Sequence, residues 1–326
     1  MVASLVASLP LGRRVALRRR LPGQTGASGG PLLTDVVGVV LAVDDSMLTL
    51  GRRDGSRVEV PCTDVVAVRL LAAAGPPRRA SGEDLQRVTA HGWPASVSEP
   101  LGDWLLRAAG GFTGRANSAS VHGDPGMAMD EALARVQAFY DRHGLASRAQ
   151  VVVGSHWDAA FAAAGWLPLT GRGAEVLTVT IAAAIAAQPP VPPVPVHAEL
   201  TPTWLSRYGR LADPDTDLAA ARAVLSGGDT VGFAQVDGDP GKPPAAIGRV
   251  VVTGAWAGLA CVEVEPAGRG RGLARRVVQT SLSWAKDRGA RWCYVQTMPD
   301  NAAALGLYAS YGFTPHSAYR YLVPPG

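Results

Sequence analysis

From Val15 to Leu71 the chain changes polarity in short runs, VALRRRL, DVVGVVLAV, SMLTLGRR, SRVEVPC and VVAVRLL, with turn residues such as Asp54-Gly55 between them. Alternation with period two sends successive side chains to opposite faces, and an Asp-Gly step suits a tight hairpin turn. This stretch therefore predicts a small barrel of short strands. After the Pro/Gly-rich link AAAGPPRRASGED the pattern changes to helix–Gly–strand units. QAFYDRHGLASRAQVVV ends a helix at Gly144 and runs into a strand, and LSWAKDRGARWCYVQT does the same at Gly289, 145 positions later. Downstream, FAAAGW and YASYGF place Gly165-Trp166 and Gly312-Phe313 at a spacing of 147. A register that holds within two residues predicts a diverged internal repeat.

The two copies are separated by QPPVPPVPV at Gln188 to Val196, a polyproline tract expected to act as a stiff extended spacer. The expected division is 1–72, a small SH3-like β-barrel; 73–188, the first copy; 189–195, the linker; and 196–326, the second copy. In the last segment a strand over Val196 to Leu200 precedes Thr201-Pro202, which reads as an N-cap and first helical position, with Trp204, Leu205 and Tyr208 following at helical spacing. TVGFAQV and AAIGRVVVT, joined by DGDPGKPP, predict antiparallel strands. LACVEV, Leu259 to Val264, then leads through Pro266 into AGRGRGLARRVVQTSLSWAKDRG, where Val277, Val278, Leu282 and Ala285 form a helical apolar face and Gly289 supplies the stop.

Composition narrows the class without naming a function. Of 326 residues 47% are hydrophobic and 18% charged, which excludes a disordered chain. The net charge of +4 is too thin to imply nucleic-acid binding, and 29 of the 31 basic residues are arginines, the exceptions being Lys242 and Lys286. Position has to decide what any arginine does. One cluster, Arg13, Arg14, Arg18, Arg19 and Arg20, lies on the opening strand without an intervening acid; it could grip nucleic acid, an acidic protein or a phosphorylated ligand, or simply protect an edge strand by charge. Cys62, Cys261 and Cys293 have neither paired nor metal-ligand spacing, so no disulfide framework, zinc site or other metal is expected. The start, MVASLVASLPLGRR, lacks a basic region ahead of its apolar run, and the apolar stretch near Val176 to Ala187 is too short to span a bilayer. No membrane role is expected, and a reducing cytoplasm fits.

Candidate chemistry lies where the strand over Leu259 to Val264 meets its helix. Gly268, Gly270 and Gly272 remove side chains, Arg269 and Arg271 add charge, and the positive end of the helix follows, an arrangement that suits a phosphate. A dinucleotide fingerprint begun at Gly268 fails at Leu273, and no G-K-[ST] follows. What matches is V-x-P-x-x-R-x-x-G-x-A, from Val264 through Pro266, Arg269 and Gly272 to Ala274. After the strand RWCYVQT come Asn301, Ala304, Leu307-Tyr308 and Gly312-Phe313, as N-x-x-A-x-x-L-Y-x-x-x-G-F. These two ordered motifs resemble the pyrophosphate loop and second block of the GCN5-related N-acetyltransferase (GNAT) superfamily. The likeness covers residues 196–326; with the small barrel ahead of it, the layout is similar to an actinobacterial subfamily.

The resemblance implies an α+β / α/β fold: a mixed, mostly antiparallel sheet flanked by helices, preceded by a degenerate GNAT-like middle domain. It implies transfer of acetyl from acetyl-CoA to a primary amine, small molecule or protein, by direct attack in a ternary complex. By the family pattern Val262 and Val264 would pair with the pantetheine arm, and the Val262 N–H would polarise the acetyl carbonyl. Arg269, Gly270, Arg271, Gly272, Leu273 and Ala274 would hold the pyrophosphate. Asn301 would bond the cofactor, and Tyr308 would protonate the departing thiolate. Asn301 could also simply cap its helix, and Tyr308 could pack it against the sheet. Glu263, or with a weaker claim Glu265, is the candidate base; His197 and His316 read as surface or turn residues, though His316 could reach an acceptor pocket. In the first copy Asp124 aligns with Arg269, His156 with Asn301, and Ala163 or Phe161 with Tyr308, so that copy reads as catalytically dead. Gly26-Ala27-Ser28-Gly29-Gly30 spells G-x-S-x-G without the strand-to-helix elbow a hydrolase needs and is discarded. The alternative is a non-catalytic acyl-CoA-binding or sensing protein whose basic barrel binds nucleic acid or a protein.

Overall fold

The computed structural model describes residues 14–25, 29–44, 46–52, 56–70 and 79–326, with the isolated positions Val6 and Leu9. The Asp54-Gly55 turn, Arg13, Gly26 to Ser28 and most of the first link lie outside the described residues.

The alternating runs form β1 (Arg14–Thr25), β2 (Pro31–Val43), β3 (Met47–Gly51), β4 (Arg57–Pro61) and β5 (Val65–Leu70), an antiparallel sheet ordered β4-β3-β2-β1-β5. The outer strands, β4 and β5, are joined by only the 3-10 turn Cys62–Asp64. In a flat sheet they would lie about 19 Å apart, four spacings of ~4.8 Å, more than such a turn can reach at ~2 Å rise per residue. The sheet must roll up, and its inner face carries Val15, Leu17, Val36, Val40, Leu48, Leu50 and Val60. Arg18 is not a lone cation: its guanidinium grips Asp35 across the strand pair through two 2.8 Å hydrogen bonds, both groups exposed.

Beyond the link, α1 (Gly82–Gly92) starts in a capping box, with the Ser81 hydroxyl and Asp84 carboxylate bonding each other's backbone N–H at 3.0 Å. Then come β6 (Val97–Leu101), β7 (Trp104–Ala108), β8 (Ala119–Ser120), α2 (Met129–Arg142), β9 (Ala149–Val152), α3 (His156–Ala163), β10 (Leu167–Thr180) and α4 (Ile181–Ala186). The second copy runs β11 (Val196–His197), α5 (Pro202–Arg207), α6 (Leu218–Ser226), β12 (Thr230–Val236), β13 (Ala246–Thr253), β14 (Trp256–Val264), α7 (Leu273–Asp287), β15 (Trp292–Thr297), α8 (Ala302–Ser310) and β16 (Thr314–Val323). No helix among the described residues is long and apolar enough to cross a membrane.

The repeat expected from the sequence is present as topology. In each half a strand pairs antiparallel with a second, a helix crosses over, and a third strand lies parallel to the second: β7, β8, α2, β9 and again β13, β14, α7, β15. Gly144 and Gly289 end the crossover helices with φ of 62° and 86°, and Gly165 and Gly312 end the next ones with 81° and 78°, left-handed conformations that favour glycine. The final strands change places. One eleven-stranded sheet runs β11-β12-β13-β14-β15-β10-β16-β9-β8-β7-β6, so β10 closes the second half and β16 closes the first. Leu177 and Val179 of β10 accordingly sit in one core with α7 and α8, while Leu322 of β16 joins Trp104, Phe139 and Phe161 in the other.

One expectation needs correction, and another gains detail. The first strand of the second half spans only Val196–His197, because Thr201 caps α5 and Trp204 turns back to give its indole N–H to the Ala234 carbonyl on β12. The polyproline tract is extended but not free. Arg275 and Arg276 bond the carbonyls of Pro189 and Pro192, each at 3.2 Å, and the Val194 N–H bonds Thr280 at 3.2 Å, strapping the tract along α7.

Candidate functional site

The site begins with a defect in β14. Along β13 the register places Arg249 opposite Ala260 but Ile247 opposite Glu263, so Cys261 and Val262 together face Gly248. Cys261 takes the extra position, with φ of 55°, rare for a residue with a side chain. On its other side β14 pairs with β15 only from Trp256 to Leu259. From Ala260 on, the two parallel strands part, and the backbone of Ala260 to Val264 has no ladder partner among the described residues on the β15 side. Gly248 permits this: a Cβ there would meet Val277 at 2.4 Å, so only glycine lets α7 lie so close to the sheet.

The bulge sorts the side chains. Val262 and Val264 pack toward α7 with Leu273 and Val277, while Ala260 and Cys261 turn to the opposite face, toward Tyr208 and Phe233. Glu263 shares that opposite face; its carboxylate accepts the Gly209 N–H at 2.8 Å. Burial pushes its pKa up from 4.5, partly offset by that hydrogen bond and by Arg210 and Arg207. Glu265 instead lies 3.7 Å from Arg207.

Past β14 the chain makes a 3-10 turn, Pro266–Gly268, and enters α7 from Gly272. A Cβ on Gly268 would meet Leu273 at 2.8 Å, whereas Gly270 and Gly272, with φ of 75° and 77°, have nothing within 4 Å of theirs. The first helical bond runs from Arg276 N–H to the Gly272 carbonyl, and no side chain caps the helix. The N–H groups of Gly272, Leu273, Ala274 and Arg275 therefore lie at an open helix start. Arg269 and Arg271 are exposed beside it, with no ion pair to any described residue. Open glycines, unbonded donors and two free cations match the needs of a pyrophosphate, and the parted strands match those of an extended amide-bearing arm.

Asn301 caps α8, its side-chain oxygen accepting the Ala304 N–H at 3.1 Å. Seven residues on, Tyr308 is buried with its ring 5.4 Å from that of Phe313, and its hydroxyl makes no hydrogen bond to a described residue. Burial, with the thiols of Cys293 and Cys261 nearby, raises its pKa well above 10, so the phenol keeps its proton at neutral pH. Tyr308 and Val262 thus share one core at the parting of β14 and β15, with Glu263 on the other face of β14, the glycine–arginine loop directly after it and Asn301 at the start of the helix that carries Tyr308. His197 is exposed on β11, and His316 is half-buried on β16, where Nε2 lies 3.1 Å from the Ala80 carbonyl.

Several groups at this place escaped the sequence reading. Cys261 packs in one cluster with Tyr208, and burial raises its thiol pKa. Arg249, fully buried, bonds the carbonyls of Leu225, Gly92 and Gly227, and burial pulls its pKa down to about 10. Trp93 and Arg115 come from the first half. An arginine inside the apolar run AAIGRVVVT was a visible anomaly; nothing in LACVEV announced the bulge.

The first half holds a closed counterpart. Its parallel strands pair at Ala119 with Ala149 and Ser120 with Gln150. The Gln86 side chain from α1 then fills the gap, donating to the carbonyls of Val121 and Gln150 at 2.7 and 2.9 Å. Ahead of α2, Asp124 takes its backbone N–H to Asp103 at 2.9 Å and bonds the Gly126 N–H at 2.8 Å, bringing two carboxylates into that loop. Ser155, not His156, caps α3 as Asn301 caps α8, and Phe161, not Ala163, occupies the Tyr308 position.

Comparison with known proteins gives this geometry a family. A family described as "Probable histone acetyltransferase Rv0428c C-terminal" matches residues 83–322, across both halves, and one described as "Rv0428c N-terminal Sm-like domain" matches residues 9–69. The chain belongs to the Rv0428c-like family of GNAT acetyltransferases. It is 31% identical over 325 residues to the "Probable histone acetyltransferase Rv0428c" of Mycobacterium tuberculosis, covering 96% of this chain and 95% of that protein. A stretch of 103 residues is 34% identical to a mycothiol acetyltransferase of Nocardioides sp., covering 31% of this chain and 34% of that enzyme. Among solved structures, a tandem GNAT protein from the clavulanic acid biosynthesis pathway matches with a TM-score of 0.51 at 18% identity, covering 63% of this chain and 74% of that one, a likeness of fold. The small β domain at the start of this Rv0428c-like chain is Sm-like.

Proposed function

We propose that the chain transfers the acetyl group of acetyl-CoA to a primary amine by direct attack in a ternary complex, with the reaction confined to residues 196–326. The observation that carries this reading is the parting of β14 and β15 at the Cys261 bulge, directly ahead of an uncapped helix start and beside a protonated Tyr308. Free backbone groups at Val262 and Val264 hold the pantetheine arm as an added strand would, with the Val262 N–H toward the acetyl oxygen, where it stabilises the charge of the tetrahedral intermediate. Arg269 to Ala274 hold the pyrophosphate and Asn301 bonds the cofactor. The thioester supplies the activated acetyl group. Glu263, kept basic enough by burial, takes the proton of the amine directly or through water, and Tyr308 gives its proton to the leaving thiolate. No metal is required for this chemistry.

Residues 73–188 serve as a non-catalytic, degenerate GNAT-like half whose plugged gap and acidic loop leave no place for a second cofactor. Residues 1–72 form a separate module, SH3-like in its rolled strands, and 189–195 join the halves. The reaction belongs in the cytoplasm. The names of the relatives speak of a histone and of mycothiol, so kinship alone does not select the acceptor. The test is release of free CoA thiol on incubation of acetyl-CoA with a panel of amines, beside calorimetric titration with CoA. Absence of CoA binding, with Arg269→Glu indistinguishable from the parent protein, would remove the foundation of the reading.

A further inference from the structure

A cation from the first half stands on the face of the site to which Ala260 and Cys261 turn. Arg115 lies in the loop between β7 and β8, its Nη1 donating to Gln296 of β15 at 2.6 Å and its guanidinium 4.3 Å from the centre of the Trp93 ring. Arg249 lies 5.0 Å from the centre of the same ring. Phe112 and Ala116, which flank Arg115, pack in one cluster with Tyr208 and with Ala260 and Cys261 of the bulge. The acids on this face are otherwise engaged: Glu265 faces Arg207, and Glu263 accepts from Gly209. Arg249 at least has three carbonyls. Arg115 is half-buried, and its remaining N–H groups meet no acceptor among the described residues.

The loop is built to hold that arginine still. Asn117, 6% exposed, accepts the N–H groups of Ala109 and Gly111 and donates to the carbonyls of Phe112 and Thr113. Thr113 is held at φ of 61°, an outlier for a β-branched residue, while its hydroxyl takes the Trp93 indole N–H at 3.0 Å. Strain kept by surrounding bonds, around a guanidinium with no ion pair to any described residue, is a preorganised recognition device. Removing a guanidinium from water without an anion is costly, and a carboxylate is the planar partner that its fork fits.

We propose that Arg115 is the specificity-determining residue for the acceptor, and that the acceptor is a small amine carrying a carboxylate, which pairs with that guanidinium while the amine faces the bulge. This rests on the acetyl-transfer reading above.

The test compares amino acids with their own carboxamides as acceptors for the full chain. The acid should be used with a kcat/KM about 10-fold or more above that of the amide, the scale of one charge-assisted pair. Arg115→Met should raise KM for the acid by a similar factor, leave the amide and CoA affinity unchanged, and be partly rescued by Arg115→Lys. Gln296→Ala, which only loosens the guanidinium, should show the same split in milder form should the Met variant fail to fold. Equal use of acid and amide, preference for a lysine-rich peptide, or equal loss on both acceptors would overturn the proposal. Thermal stabilisation by amino acids without acetyl-CoA, lost in Arg115→Met, separates the two readings. Its presence in a protein that releases no thiol would overturn only acetyl transfer, and its absence in a protein that does release thiol would overturn only the role of Arg115.

Discussion

Tyr308 and Phe161 hold one position in the two halves of the chain: each gives its carbonyl to the N–H of an aromatic residue that follows a left-handed glycine, Phe313 at 3.1 Å and Trp166 at 3.0 Å. Phe161 packs its ring 5.5 Å from Trp104 and 5.1 Å from Trp166. The shared backbone motif ends α3 and α8 alike, so the difference between the halves at this point is one phenolic hydroxyl.

That hydroxyl has no hydrogen-bond partner among the described residues to lose. Tyr308→Phe should therefore melt with the parent protein and bind CoA with the same affinity, while turnover falls about 100-fold or more, the usual contribution of a positioned acid. Steady-state kinetics beside calorimetry reads both. Unchanged turnover would leave Tyr308 as packing for α8.

Arg269 and Arg271 stand in solvent at the open start of α7, where their charge acts on a ligand and hardly on the fold. Replacing both with Glu should weaken CoA binding about 10-fold or more at low salt, with a smaller penalty at high salt as screening shortens the reach of the charges. The melting temperature should stay put. A CoA affinity indifferent to both charge reversal and salt would move the pyrophosphate elsewhere.

The elements legible from sequence were those written in local chemistry. Gly144, Gly289, Gly165 and Gly312 announced helix ends because left-handed backbone favours glycine, and their even spacing exposed the repeat. Thr201 announced a cap that the structure contains. What stayed hidden depends on partners distant in the chain. The exchange of β10 and β16 is a choice between two equally good edges, which no strand states in its own residues. The bulge at Cys261 is a slip of register against β13, beside a glycine that α7 approaches closely, and the Gln86 plug joins α1 to carbonyls 35 and 64 residues away.

Glu263 gives a pH dependence with a definite sign. Its folded pKa lies above 4.5, so the folded state holds the proton more tightly than the unfolded chain; its ionisation lowers stability as pH rises from 4.5 through the folded value. Glu263→Gln, which can still accept the Gly209 N–H, should melt no lower than the parent at pH 7, with any gain vanishing toward pH 4. A base must be ionised, so parent turnover should rise with pH through that raised value. In Glu263→Gln this limb should be missing and the remaining rate low. A persisting limb would assign the proton transfer to another group.

The exchange of final strands predicts what the second half cannot do alone. β10 pairs on one side with β15, from Glu175 opposite Thr297 to Thr180 opposite Trp292, and on the other with β16. Its Leu177 and Val179 pack in the same core as Tyr308, Tyr311 and Phe313. A fragment of residues 189–326 keeps both sequence motifs yet lacks this strand. It would expose three unpaired edges, one on β15 and both on β16, which also loses β9, and lose apolar burial on the order of 1.5–3 kcal/mol for each large side chain, a sizeable part of a typical domain's net stability. The fragment should therefore aggregate or associate through those edges, melt without a cooperative transition and bind CoA poorly. Adding residues 73–188 as a separate chain, which returns β10, should restore a cooperative melt. Size-exclusion chromatography with calorimetry decides: a monomeric, cooperatively melting 189–326 fragment would show that the exchanged strand is dispensable and that the second half is a self-sufficient unit.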